Sequence, residues 1–168
     1  MPKIIENLPQ RLLEEARRQI SQEGYSAMTI RSVASGCGVG VGTVYNYYAS
    51  KDELVAAFML EDWQKCIGYI GNVSDSSEEA LPVLASIHTG LTRFIQAHEA
   101  VFRDSAAAAG FAGSFSRYHG LLRSQIALPL KKFCPDSFTA DFIAEAMLTW
   151  TVAGKSIDEI SSLVIKLL

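Results

Sequence analysis

Residues 39–51 read VGVGTVYNYYASK, a run that sets glycines, valines, a threonine, an asparagine and three tyrosines beside one lysine. Side chains of these kinds suit recognition of nucleic acid better than covalent chemistry. Thr43 can bond a base edge or touch a thymine methyl, Asn46 can pair with adenine, and Gly40, Val41 and Gly42 are small enough for close approach in a groove. Tyr45 and Tyr47 can donate to phosphate while their rings pack on the sugar, and Lys51 adds charge at a helix start. The same tyrosines could instead form a core stripe.

Such a run reads DNA only if helices present it. Leu8, Leu12, Leu13, Ala16 and Ile20 recur at helical spacing and Gly24 follows where a helix ends, which predicts a first helix. Thr29 is a candidate N-cap for a second, two-turn helix with Ile30, Val33, Ala34 and Cys37 inward, closed by Gly36 and Gly38. A third segment enters at Val39 and carries Val44, Tyr45 and Tyr48. Ser50 and Glu53 spell a capping box, so a fourth helix opens there and runs through Leu54, Val55, Phe58, Met59 and Trp63 toward residue 70. Two short helices joined by a glycine turn form a helix-turn-helix, whose second helix enters the major groove.

Charge falls where that reading needs it. The chain has 168 residues and a net charge of −3, yet residues 16–51 carry Arg17, Arg18, Arg31 and Lys51 against Glu23 alone. Residues 52–168 carry nine basic and fourteen acidic side chains. A cationic head on an acidic body fits a polyanion met by the head only, although four cations could also form a plain solvated face. No apolar run is long enough to span a bilayer and MPKIIENLPQ lacks the features of a signal peptide, so a cytoplasmic protein is expected. Cys37, Cys66 and Cys134 are far apart without ligand spacing, which predicts reduced, buried thiols and no metal.

Residues 24–54, GYSAMTIRSVASGCGVGVGTVYNYYASKDEL, resemble the DNA-binding head of the TetR family of bacterial transcriptional regulators. The resemblance is strong over residues 8–60; beyond them only the helical pattern and length are similar. It implies that Tyr45, Tyr47 and Lys51 contact phosphate, that Thr29 does so from the start of the second helix, and that Tyr48 takes the place of a buried phenylalanine. Two departures stand out: Gly40 replaces a common capping serine or threonine, and Val41 replaces a long polar residue. Fewer cations then reach DNA, which predicts a shallow salt dependence.

The expected architecture is all-α, with a three-helix head containing the helix-turn-helix over residues 1–50 and a larger helical ligand-binding and dimerisation domain over 51–168. In the body, Gly71–Ser77 reads as a loop and Ser76 with Glu79 as a capping box for a helix through Leu84, Ile87, Leu91 and Phe94. Residues 105–116 read as a helix end and a connection, and Pro129 as a kink in a helix over 117–133. Two helices close the chain, about 137–153 and 156–168. Their apolar stripes, Phe142, Ala146, Thr149, Trp150 and Ala153 with Ile160, Val164 and Leu167, suit a four-helix dimer interface, which the resemblance also implies; covering the protomer's own core is the other reading.

No enzyme motif is present in the chain, and no cofactor is expected. Trp63, Cys66, Ile67, Phe94, His98, Phe102, Phe115, Tyr118 and His119 would line a cavity for an apolar effector, with 110–116 as its gate; plain core is the alternative. The partners expected are a palindromic double-stranded DNA operator, a second copy of the chain and an apolar small molecule. A helical module whose head binds protein and not DNA is the competing function.

Overall fold

The computed structural model describes residues 7–168, the side chains of 111–118 excepted. Among the described residues every regular element is a helix: α1 Leu8–Glu23, α2 Ile30–Cys37, α3 Val41–Tyr45, α4 Lys51–Ser76, α5 Ala80–Ala97, α6 Glu99–Phe102, α7 Ser105–Ala127, α8 Ser137–Val152 and α9 Ile157–Val164. Short 3₁₀ turns follow α7 at Leu128–Leu130 and α9 at Ile165–Leu167. No described helix is long and apolar enough to cross a membrane. The chain forms two compact units, Met1–Glu61 with His98–Gly113, and Asp62–Ala97 with Ser114–Leu168. Compactness therefore groups the expected head, 1–50, with the start of α4, with α6 and with the start of α7.

In the first unit, Leu12, Ala16, Ile20, Met28, Val33 and Val44 are buried with Leu54, Val55 and Phe58 of α4. A polar seam joins α1 to α2 beside this core. Arg18 and Gln19 both donate to the Glu15 carboxylate, and Gln19 in turn accepts from Ser32 at 2.5 Å. Gly36 leaves α2 bare where Glu15 crosses it; a Cβ there would collide with that carboxylate.

The structure corrects several expectations. Residues 71–76 of the polar stretch are no loop, because they complete the end of α4. Ser76 donates to the carbonyls of Asn72 and Val73, Ser74 donates to the Pro129 carbonyl at 3.2 Å, and the Lys132 ammonium caps Ser74 and Ser77 at 2.5 and 2.7 Å. A cation at a helix C-terminus satisfies its orphan carbonyls and complements the dipole. The capping box expected of Ser76 and Glu79 is consequently not formed, and α5 opens at Ala80.

Residues 105–116 belong to α7, whose first turn is capped by Asp104: one carboxylate oxygen accepts from Ala106 and Ala107 at 2.8 and 3.2 Å. A capped start and a run of alanines outweigh two glycines. Pro129 ends α7 in a 3₁₀ turn and does not kink it. The last helix likewise stops at Val164, short of residue 168.

In the second unit, α8 buries Ile143, Ala144, Met147 and Leu148 against α5, and α9 adds Ile160 and Val164 to the same core. Both of the latter are 4% exposed, so they are protomer core and not the dimer face expected of them. Gly154, at φ 79°, turns α8 into α9, and His88 Nε2 lies 2.9 Å from the Lys155 carbonyl beside that turn. Ser156 and Glu159 form the capping box read from the sequence.

Glu159 accepts from the Ser156 amide and then from Lys155, which together hold its carboxyl at about 2 against 4.5. Glu15 is held at about 2, chiefly by Arg18. Both carboxylates are depressed in the folded state, so their contribution is complete above pH 4.5 and fades as pH falls toward 2. Glu15→Gln and Glu159→Gln should therefore each flatten the fall in melting temperature across that window, read by thermal denaturation at several acidic pH values. Curves parallel to wild type would refute the assignment.

Candidate nucleic-acid interface

Gly38 makes the turn of the helix-turn-helix. At φ 69° it sits in the left-handed region, and the amides of Gly38 and Val39 return to the carbonyls of Ser35 and Ala34 at 3.1 and 2.9 Å. This closes α2 and sends the chain directly into α3. Val44, fully buried, anchors α3 to the core. The helix is a single turn of five residues, shorter than the sequence suggests, and Asn46 forms its C-cap.

That anchor sorts the tyrosines. Tyr45 and Tyr47 are 52% and 48% exposed, so they are not the core stripe that was the alternative for them. Tyr48 packs on the core as the resemblance implies, and burial pushes its phenol up. Gly42 and Asn46 are exposed; Val41 and Thr43 are half-buried.

Two expected phosphate contacts already have partners within the protein. Thr29 caps α2: its hydroxyl accepts from the Ser32 amide at 3.0 Å and stands 3.1 Å from Ser32 Oγ. Lys51 turns inward, donating to the Tyr25 carbonyl with its ammonium 4.0 Å from the centre of the Tyr25 ring. Desolvation lowers its pKa, opposed by Asp104 and Asp52. Tyr25 is buried and its hydroxyl donates to Asp52, while Ser26 donates to Asp104 through both its amide and its hydroxyl, at 3.2 and 2.6 Å. The α1–α2 turn is thereby tied to the starts of α4 and α7.

Arg31, on the first turn of α2, is exposed and keeps its charge on the outside of the head. Ser50 accepts from the Glu53 amide at 3.1 Å, whereas the Glu53 carboxylate reaches back to Ala49 and not to Ser50.

The effector-lining candidates divide between the units. Trp63 and Phe94 meet edge to face at 5.4 Å in the second unit, where the Trp63 indole donates to Gln125 at 2.5 Å. Cys66 and Ile67 join that core, and His119 lies 3.4 Å from Glu145. His98 and Phe102 belong to the first unit, with His98 stacked on Phe58 at 5.7 Å and Phe102 edge-on to His98 at 6.4 Å. The side chains of Phe115 and Tyr118, and of most of the proposed gate, lie outside the described residues.

Residues 12–58 match the family model for bacterial regulatory proteins of the tetR family. Over 57 residues the chain is 28% identical to the HTH-type transcriptional regulator UidR of Escherichia coli K12, covering 34% of this chain and 29% of UidR. Over 100 residues it is 29% identical to the HTH-type transcriptional repressor KstR2 of Mycobacterium tuberculosis, covering 56% of this chain and 49% of KstR2. The chain thus spans at most about half the length of these curated relatives. Its fold is similar to that of the TetR family repressor AlkX of Dietzia, with a TM-score of 0.62 at 14% identity, covering 94% of this chain and 98% of AlkX.

Tyr45→Phe and Tyr47→Phe remove only an exposed hydroxyl. Each should leave the melting temperature unchanged and weaken binding to cognate and random duplexes alike by about fivefold, the loss of one hydrogen bond. Lys51→Ala should lower both stability and binding, whereas Thr43→Ala and Asn46→Ala should alter sequence preference. Fluorescence anisotropy beside thermal melting separates these outcomes, and unchanged affinity in both tyrosine variants would rule out this face.

Proposed function

We propose, from the match of residues 12–58 to the tetR family of bacterial regulatory proteins, that this chain is a homodimeric transcriptional repressor of that family, released from a palindromic operator by an apolar small molecule. The observation that carries DNA binding is the outward pair of phenols, Tyr45 at the end of a one-turn α3 and Tyr47 just after it, on a helix that a buried Val44 holds in place. A protein-binding head is the competing function, and salt-dependent binding to duplex DNA separates the two.

Dimerisation is supported by the solvent face of the last two helices. Phe138, Phe142 and Trp150 are 77%, 53% and 50% exposed along one side of α8, where Ala146, Thr149 and Ala153 share the stripe. Leu163 is exposed on α9 and Leu167 on the 3₁₀ turn that follows it. Exposed apolar side chains recurring along one helix face support an interface. Dimerisation sets two recognition helices about 34–36 Å apart, the spacing of successive major grooves. For the effector, the supporting feature is the aromatic pair Trp63 and Phe94 with Gln125 as a polar contact, beside Cys66 and Ile67.

Trp150→Glu and Leu163→Glu should give folded monomers by light scattering and circular dichroism, and operator affinity should fall with the dimer, since a buried unpaired charge costs several kcal/mol and a symmetric interface meets it twice. Val164→Glu should instead unfold the second unit. A wild-type monomer that binds a palindrome tightly would overturn this assembly.

A thermal-shift screen of hydrophobic compounds tests the effector. A ligand at 100 times its Kd adds about 2.7 kcal/mol. A true inducer must also release DNA, and Trp63→Ala should abolish that release while DNA binding remains. If no compound both stabilises the protein and releases DNA, the ligand response is refuted.

A further inference from the structure

We propose that α3 reads a half-site whose central pairs are A·T, recognised through thymine methyls and adenine edges at close range and not through guanine. This deepens the DNA-binding reading above and rests on it. Residues 39–50 contain no charged side chain. Guanine is read chiefly by arginine or lysine making paired bonds to its O6 and N7, and neither type stands on α3. What α3 presents is the hydroxyl and methyl of the half-buried Thr43 and the exposed amide of Asn46 at its end, while Val41 packs against the core of the head and adds no charge. Thr43 and Asn46 match thymine methyls and adenine.

The glycines supply the independent argument. Gly42 lies in the first turn of α3 at a φ open to any residue, and a Cβ built on it meets nothing within 4 Å. At Gly40 a Cβ meets only Thr43 Oγ1, at an ordinary 3.8 Å. Alanine favours a helix over glycine, and serine or threonine caps one better. The protein's own packing therefore gives no reason for either glycine. Both are exposed, so the missing side chains leave room on the outside, where the floor of a groove would approach the backbone.

The test uses the full chain and a random duplex pool, from which bound sequences are recovered and their half-sites aligned. A·T pairs at the centre of the half-site are expected. Replacing those thymines by uracil, which removes the C5 methyl alone, should weaken binding about fourfold per methyl in contact. Gly42→Ala should raise the melting temperature and lower affinity for the selected duplex at least tenfold, with a smaller loss on random duplex. A half-site centred on G·C pairs, indifference to uracil, or a Gly42→Ala variant that binds as tightly as wild type would overturn the proposal. Failure to retain any duplex would overturn the DNA-binding reading itself, a result distinct from retention of the wrong sequence.

Discussion

The α1–α2 turn is the constraint on which the head depends. Tyr25 and Ser26 are held from two directions, by Lys51 and Asp52 at the start of α4 and by Asp104 at the start of α7. Asp104 divides its two oxygens between Ser26 and the first amides of α7, so one carboxylate both starts a helix and fixes the turn. Four hydrogen bonds hold its pKa down, that from the Ser26 side chain first. Because α4 and α7 each continue from the first unit into the second, the helix-turn-helix is attached to two long helices and not simply to the end of one.

The same contacts decide where the head keeps its charge. Lys51 lies over Tyr25, Arg18 is bound to Glu15, and Arg17 stands 5.2 Å from the centre of the Phe58 ring and 3.7 Å from Glu61. The local excess of cations that looks like a DNA-facing patch in sequence is in large part engaged within the fold. Arg31 remains outward. A one-dimensional charge count cannot make this distinction, because it depends on which side of each helix faces the turn.

What was legible in the sequence follows the same division between local and distant causes. The turn at Gly38, the Thr29 cap and the Ser156–Glu159 box depend on residues within five positions of one another, and each was readable. The end of α4 was not, because Lys132, which caps it, lies 58 residues from Ser74. The inward turn of Lys51 depends on Tyr25, 26 residues away. The face of α9 was misread for a different reason. With Ile157, Ile160, Leu163, Val164, Ile165 and Leu167 in eleven residues, apolar side chains surround the helix, and periodicity alone cannot select the side that meets α8. Packing buries Ile160 and Val164 and leaves Leu163 and Leu167 outside.

On the proposed function, the uncharged α3 and the exposed apolar face of α8 are linked by the energetics of binding DNA. Phosphate contacts by cations supply most non-specific affinity, and a head whose lysine is turned inward gives up part of that supply. Methyl contacts and close approach discriminate between bases but contribute modestly per site. Two such heads joined in one dimer would recover affinity, because the second half-site is then bound at a high effective concentration. On the proposed function, the less charge each recognition helix brings, the more an operator complex would depend on pairing through the stripe from Phe138 to Trp150, so that selectivity at α3 and dimerisation would be requirements of one another.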